Sequence, residues 1–238
     1  MREIKGEALL TFTYTFTLAD KTHKFVVNID RATMNIILPE LDDPPNWAKL
    51  EYHQCSNCPL ETGIHPYCPA ALTIIDLIKF FSRSTSWKKV SVKIETNERT
   101  YWRHTDLQNA VSSLLGLCLA TSECPILGQL RPMARFHLPF QSIEESTYRA
   151  ISMYLLGQYY KKARGLEPDW DLNHLSEIYE NIQTVNHTFK NRLSGIGIGD
   201  ASLNAMVILD NYANYVLFEI DEGFIAELEN LYKVYFKD

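Results

Sequence analysis

Three cysteines within fourteen residues carry the clearest chemistry in this sequence. Cys55 and Cys58 are separated by two residues, and Cys68 follows Cys58 ten positions later. A Cys-x₂-Cys turn can present two sulfurs to one ion, and clustered thiolates are the ligands of tetrahedral Zn²⁺ and of iron–sulfur clusters. Pro59 and Pro69 follow two of these cysteines, and prolines of this kind favour an irregular loop. The segment therefore predicts a metal-binding loop.

A four-coordinate site needs one more ligand, and the sequence offers three. Cys124 also precedes a proline and falls just past a predicted helix end, where its side chain could reach outward. His65 would complete a local Cys₃His site, and His53 is a weaker choice. We predict a structural zinc site whose ligands are Cys55, Cys58, Cys68 and Cys124.

Two other interpretations of the cysteine cluster stay open. Cys-Pro is typical of ferredoxin cluster ligands, although the spacing here does not match the C-x₂-C-x₂-C run, so an iron–sulfur cluster is the alternative cofactor. The cysteines could also be reduced, partly buried thiols without metal. The fifth cysteine, Cys118, lies on the apolar face of a predicted helix and is expected to be a small buried hydrophobe.

Two further segments could bind an anion. Arg131 and Arg135 are four residues apart and precede His137, so they could clamp a phosphate or carboxylate, or pair with acidic helices instead. The glycines at 195, 197 and 199 have neither the spacing nor the preceding strand of a dinucleotide fingerprint, and a turn between helices is expected. The nucleophile, zincin and kinase signatures are absent from the sequence.

The elements around these residues differ between the two parts of the chain. Residues 8–18 alternate between apolar side chains and threonines, and residues 24–29 continue the alternation, which predicts a β-hairpin. A second strand pair is predicted near 90–94 and 100–103. Helical spacing is seen at 70–83 and 105–120, the second with a capping box at Thr105 and Gln108, and from residue 142 onward in segments starting near 143, 171, 201 and 221.

These patterns predict an α+β protein with two regions. Residues 1–124 would form an N-terminal antiparallel sheet with two helices and the cysteine-rich loop. Residues 125–238 would form a helical bundle packed against it. Capping residues at Ser142, Glu145 and Asp171 are expected to start two of its helices.

Charge and hydropathy limit the classes of partner. The net charge is −6, and residues 125–238 carry 10 basic and 15 acidic residues, so phosphate-backbone binding is disfavoured and no nucleic acid is expected. The charged N-terminus carries no secretory signal, and no apolar run is long enough for a membrane span. A cytoplasmic location is therefore expected, where clustered cysteines are more often metal ligands than disulfides.

Together these observations predict a cytoplasmic adaptor or regulatory protein that contains a structural zinc site and has no catalytic site. Its acidic helical half would bind a protein partner or a second copy of the chain. The alternative is an iron–sulfur or thiol redox protein that uses the same cysteines. A third possibility is an enzyme that acts on an anionic small molecule near Arg131, Arg135 and His137.

Overall fold

A computed structural model describes residues 8–221 and 223–236. Residues 1–7, which carry the charged N-terminus, lie outside this range, as does part of the predicted helix at 221–236. The described residues form an N-terminal four-stranded antiparallel sheet followed by a helical C-terminal part, so the α+β prediction is confirmed. No helix in the described ranges is long and apolar enough to cross a membrane.

The sheet has the strand order β2-β1-β3-β4, with every neighbouring pair antiparallel. The strands are β1 (Leu9–Thr17), β2 (Thr22–Asp30), β3 (Lys89–Glu95) and β4 (Thr100–Asp106). The predicted hairpin is confirmed, since Thr17 of β1 pairs with Thr22 of β2 across a short turn. Alternate side chains of β1 and the following Leu18 are buried, as expected for a side-chain period of two: Leu10, Phe12, Tyr14, Phe16 and Leu18. Leu9, at the start of the strand, is exposed.

The described residues contain eight α-helices. They are α1 (Pro69–Leu72), α2 (Ile75–Phe81), α3 (Leu107–Ala120), α4 (Arg131–Arg135), α5 (Ile143–Ala163), α6 (Asn173–Ser194), α7 (Asp200–Asp221) and α8 (Phe224–Tyr232). Short 3₁₀ turns lie at Asn46–Ala48, Leu127–Leu130 and Lys233–Tyr235. In the described part of the chain no strand follows residue 142, which confirms the prediction of a helical C-terminal half.

Two predicted helix boundaries in the N-terminal half are wrong. The single helix expected at 70–83 is divided into α1 and α2, and the hydroxyl of Thr73 donates to the carbonyl of Ala70 at the break (2.8 Å). The capping box expected at Thr105 and Gln108 does not form, because β4 continues to Asp106. The backbone N–H of Gln108 instead donates to the carbonyl of Ser86 (3.0 Å).

The two predicted caps in the helical half have opposite outcomes. Ser142 and Glu145 form the predicted capping box at the start of α5. Asp171 does not cap α6. The carboxylate of Asp169 accepts the backbone N–H of His174 instead (2.8 Å), and Leu172 adopts a left-handed conformation with φ 62°. Asp169 lies two residues before Asp171 in the sequence. It reaches the free backbone N–H of His174 only because the chain turns at Leu172.

The buried apolar residues form one continuous cluster with members from both halves. Helix α3 packs on α7, and α7 packs on α6. The glycine turn before α7 contributes a close contact, because the N–H of Gly199 donates to the carbonyl of Ser82 (2.6 Å) and a Cβ there would lie 2.7 Å from the carbonyl oxygen of Ser84. The proposed division at residue 124 stays a prediction, and these packed helices join the two halves through a shared core.

Candidate functional site

All four cysteines predicted as ligands line one small pocket. Its volume is about 20 Å³, close to the space that one water molecule or one ion occupies. Apolar side chains complete the wall together with Arg192. The structure therefore brings Cys124 to the cysteines of the loop across more than fifty residues of sequence, and the thiols come from three separate segments.

Short backbone contacts give the cysteine loop its shape. The N–H of Cys68 donates to the carbonyl of Ala48 (2.8 Å), and the N–H of Leu50 donates to the carbonyl of Pro66 (3.0 Å), so the two ends of the loop lie side by side. The N–H of Cys58 donates to the carbonyl of Cys55 (3.0 Å) and closes the Cys-x₂-Cys turn. The side chains of this turn can therefore face one point.

Helix α6 anchors this loop to the helical half. The amide of Asn57 donates to the backbone carbonyl and the side-chain oxygen of Asn181 (3.1 and 2.9 Å). Further along the same helix, the guanidinium of Arg192 donates to four backbone carbonyls of the segment before Cys55: those of Trp47, Lys49, Leu50 and His53. The loop is thus fixed by the helix as well as by its own ends.

Arg192 is a buried cation beside the thiols, with 1% of its surface exposed. Among the described residues it makes no ion pair with a carboxylate, and its buried Nε has no hydrogen-bond partner. Burial lowers the pKa of Arg192, whereas the nearby Cys68 and Cys55 raise it. A buried charge without an opposite charge is costly, so Arg192 favours a negative charge close to it.

The thiols themselves are hard to ionise without a metal. Burial raises the pKa of Cys55 to about 11 and also raises the pKa values of Cys68 and Cys124. Backbone N–H donors act in the opposite direction, since the amides of Ala71 and Ala70 lower the pKa of Cys68. The amides of two residues after Cys124, Leu127 and Ile126, lower its pKa in the same way. Amides directed at sulfur stabilise a thiolate once it forms.

The alternative ligands lie away from this pocket. His65 and His53 are exposed and do not line it. Cys118 is buried in α3, as expected, and burial raises the pKa of its thiol to about 12. All five cysteines are free thiols. The described residues contain no group of three or more His, Cys, Asp or Glu that could hold a metal ion.

A second and much larger cavity lies between α3, α5, α6 and α7, with a volume of about 540 Å³. This is the size range of small-molecule sites. Buried apolar residues form its floor, including Leu117, Ala120, Leu127, Ile182 and Ala213. Exposed and mostly polar residues form its rim: Arg103, Asn109, Ser142, Ile143 and Glu145.

Two basic side chains distinguish the wall of this cavity. Nε2 of His137 lies 2.6 Å from the hydroxyl of the fully buried Tyr14. Burial, assisted by the charge of Arg149, lowers the pKa of His137 to about 3, so the imidazole is neutral at neutral pH. Arg149 donates to the side chain of Gln141 and to the carbonyls of Met133 and Phe136, all of them uncharged acceptors.

The predicted arginine pair does not join this cavity. Arg131 donates to the carbonyl of Ser122 (3.0 Å), and Arg135 lies over the ring of Phe136, and neither lines the cavity wall. Of the three predicted anion-binding residues, only His137 is in the cavity. Sequence reasoning missed Arg149 and Arg192. The sequence does contain a signal for Arg192. This arginine follows Phe189 on the apolar stripe of α6, where a charged residue is unexpected.

Residues 10–233 match the family described as Domain of unknown function (DUF6901), and because the match covers most of the chain, the chain belongs to this family. No curated protein and no solved structure matches the chain significantly.

Proposed function

We propose that this member of the family is a non-catalytic binding module whose two halves are fastened by one structural Zn²⁺, held by Cys55, Cys58, Cys68 and Cys124. One observation carries the proposal. Four thiols from three separate segments line a pocket of about 20 Å³ beside Arg192, a buried cation without a carboxylate partner.

The charges of such a site balance better than those of the free thiols. Four thiolates around Zn²⁺ carry a net charge of −2, which would give the guanidinium of Arg192 the opposite charge that it lacks. The N–H groups directed at Cys68 and Cys124 would act as outer partners of their sulfurs. Closing the site requires the thiols to turn toward a common point, with the loss of their protons to the solvent.

The pocket favours one ion over the alternative iron–sulfur cluster. A cavity of about 20 Å³ has room for a single centre, whereas a cluster adds bridging sulfides and further iron atoms. The raised pKa of Cys55 also disfavours thiol redox chemistry, because reactive cysteines have lowered pKa values and accessible sulfurs. Four protein ligands leave no open position for a substrate, as in structural zinc sites.

A reducing compartment such as the cytoplasm fits this proposal, because unpaired thiols persist there. The proposed partner surface lies at the end of the helical half, where 38 to 84% of each large apolar side chain is exposed: Leu231, Tyr232, Val234, Tyr235 and Phe236. The hydroxyl of Tyr232 lies 3.0 Å from that of Tyr148 on α5, so this C-terminal patch continues onto α5. Exposed tyrosines of this kind are frequent in protein interfaces.

Metal analysis of protein purified without air tests the zinc proposal. We expect one zinc per chain, no iron and no colour. Cys58→Ser and Cys124→Ser should lose the metal, whereas the matched variants Cys118→Ser and His65→Ala should keep it. Protein without metal, or metal retained in Cys124→Ser, would contradict the proposed ligand set, and a brown protein containing iron would support the cluster instead.

Light scattering after size exclusion tests the proposed partner surface. If a second copy is the partner, the mass of the wild-type protein should exceed 27.5 kDa, and Val234→Asp should return it to the monomer value. The matched change Ile64→Asp, at an exposed apolar residue of the cysteine loop, should leave the mass unchanged. A wild-type monomer would favour a different protein as partner.

A further inference from the structure

We infer that the central cavity of about 540 Å³ is a binding site for an amphipathic small molecule, a long apolar chain that ends in one carboxylate. This inference concerns a different part of the molecule from the cysteine pocket and does not depend on the presence of zinc.

The distribution of side chains gives the cavity two ends. Leu117, Ala120, Leu127 and Ala213 on its floor are almost fully buried, whereas Arg103 on its rim is exposed. The floor can therefore receive an apolar body that is removed from water, and the rim can hold a hydrated polar head. A uniformly polar ligand would leave its hydrogen-bonding groups unpaired against this floor.

The charges that line the cavity favour a negative head. Arg103 and Arg149 both line the cavity, and neither makes an ion pair with a carboxylate among the described residues. The carboxylate of Glu145 accepts the N–H of Ser142 in the capping box of α5 (2.6 Å), so it is directed at the helix end. Two cations against one engaged carboxylate select an anion.

The hydrogen bonds of Arg149 leave room for a small head. Three of its five N–H groups donate to protein acceptors, Gln141, Met133 and Phe136, and the other N–H groups are available to a ligand. Arg103 donates one hydrogen bond to the carbonyl of Phe140 (3.1 Å) and lies over its ring, so its position is fixed as well. Both guanidiniums are therefore held at the cavity wall, and each can donate to an anion.

His137 adds a polar but uncharged contact. At neutral pH its imidazole carries no charge, and its Nε2 lies against the Tyr14 hydroxyl, which is itself 3.2 Å from the hydroxyl of Ser113. With Nε2 engaged and the basicity of the ring suppressed, His137 is suited to orienting a ligand rather than to removing a proton from it.

Titration calorimetry with three probes tests the inference on full-length protein that has been extracted to remove lipid. Palmitate has the chain and the head, hexadecanol has the same chain without charge, and acetate has the head alone. We expect palmitate to bind one to one, hexadecanol to bind about tenfold more weakly or worse, and acetate to show no binding.

Variants locate the site. Ala213→Phe places a ring in the cavity and should abolish palmitate binding. Ala120→Phe, at a lining residue of α3, serves as a second test if the first variant melts at a lower temperature. Arg103→Met should weaken palmitate about tenfold and leave hexadecanol unchanged. The matched control Arg135→Met, an arginine outside the cavity, should alter neither.

Three results would overturn the inference. They are an absence of palmitate binding, equal binding of palmitate and hexadecanol, and unchanged binding in both folded cavity-filling variants. Palmitate binding and metal content are also measured in a cysteine variant. A variant that loses zinc but still binds palmitate would show that the cavity proposal and the metal proposal can be tested separately.

Discussion

The cysteine pocket and the central cavity lie in the same core and differ in almost every physical respect. The first has a volume of about 20 Å³ and contains four thiols beside a buried guanidinium. The second has a volume of about 540 Å³ and is mainly apolar, with two arginines, Arg103 and Arg149, among its lining residues. One is suited to holding an ion that stays with the fold, and the other to receiving a molecule that exchanges with the solvent.

This contrast indicates where packing is tight and where it is loose. The cysteine loop has little conformational freedom. The buried Arg192 donates to backbone carbonyls of the segment before Cys55, and hydrogen bonds within the loop close its turn. Around the cavity, side chains have empty space on one side and lose the contacts that close packing would supply. Substitutions near the pocket should therefore be costly, and equivalent substitutions at the cavity wall should be tolerated.

The largest expected effect comes from removing a proposed zinc ligand. Cys58→Ser and Cys124→Ser should each lower the free energy of unfolding of the zinc-loaded protein by at least about 5 kcal/mol, because the energy of metal binding is also folding energy. Urea titration of proteins purified with and without chelator measures this. His65→Ala should stay within about 0.5 kcal/mol of the wild type. Equal stability with and without chelator would remove the contrast between the two regions.

Arg192→Met should cost about 3 kcal/mol, because four backbone carbonyls lose the donor that the buried guanidinium supplies. Denaturant titration at neutral pH measures the loss. Arg135→Met is the matched control, since this arginine is partly exposed and contacts one ring, and it should cost less than about 1 kcal/mol. Similar losses in both variants would show that the pocket does not depend on its buried cation.

His137 should make the cavity region sensitive to acid. Its pKa of about 3 in the folded protein is below the ordinary 6.5, so between these values the unfolded chain binds a proton that the folded chain does not. Stability must then fall as the pH falls, by about 2 kcal/mol from pH 7 to pH 5 for this group. Urea titrations of the wild type and of His137→Gln at both pH values, with chelator present throughout, isolate the contribution. Equal pH dependence in the two proteins would contradict it.

Two glycine-to-alanine substitutions, each adding one methyl group, compare the packing of the two regions directly and have the smallest expected effects. A Cβ at Gly195 would lie 2.5 Å from the hydroxyl of Tyr52, whose ring lies beside Arg192, so Gly195→Ala should cost about 1–2 kcal/mol. A Cβ at Gly116 would lie 3.3 Å from the end of Leu209, which lines the cavity and can move into it. Gly116→Ala should be neutral or slightly stabilising, since alanine favours helix. Thermal melts that show equal shifts would contradict the difference in packing.

The fold class could be read from the sequence, because strand and helix patterns are local. The alternation of Phe12, Tyr14 and Phe16 with threonines predicts β1 and its buried face correctly. The boundaries that failed depend on contacts between distant residues. Gln108 does not complete a capping box, because its N–H donates to Ser86 on the preceding loop, and no local pattern records that contact.

The candidate sites divide in the same way. Clustering of Cys55, Cys58 and Cys68 is visible in the sequence, and the shared Cys-Pro pattern led to Cys124, which the structure places in the same pocket. The central cavity was not predicted. Its walls come from helices whose apolar stripes have the pattern of ordinary core, and an empty volume leaves no pattern in a sequence.

The strand order has a consequence for the way in which the chain folds. Strand β1 pairs with β2 across a four-residue turn, and β3 pairs with β4 in a similar hairpin, whereas Thr13 of β1 pairs with Glu95 of β3, 82 positions further along the chain. Local hairpins form within microseconds, but a distant pairing must first overcome the entropy of closing a long loop. The joining of the two hairpins is therefore the slow event, and refolding rates should respond more to changes at the contact between β1 and β3 than to changes in either turn.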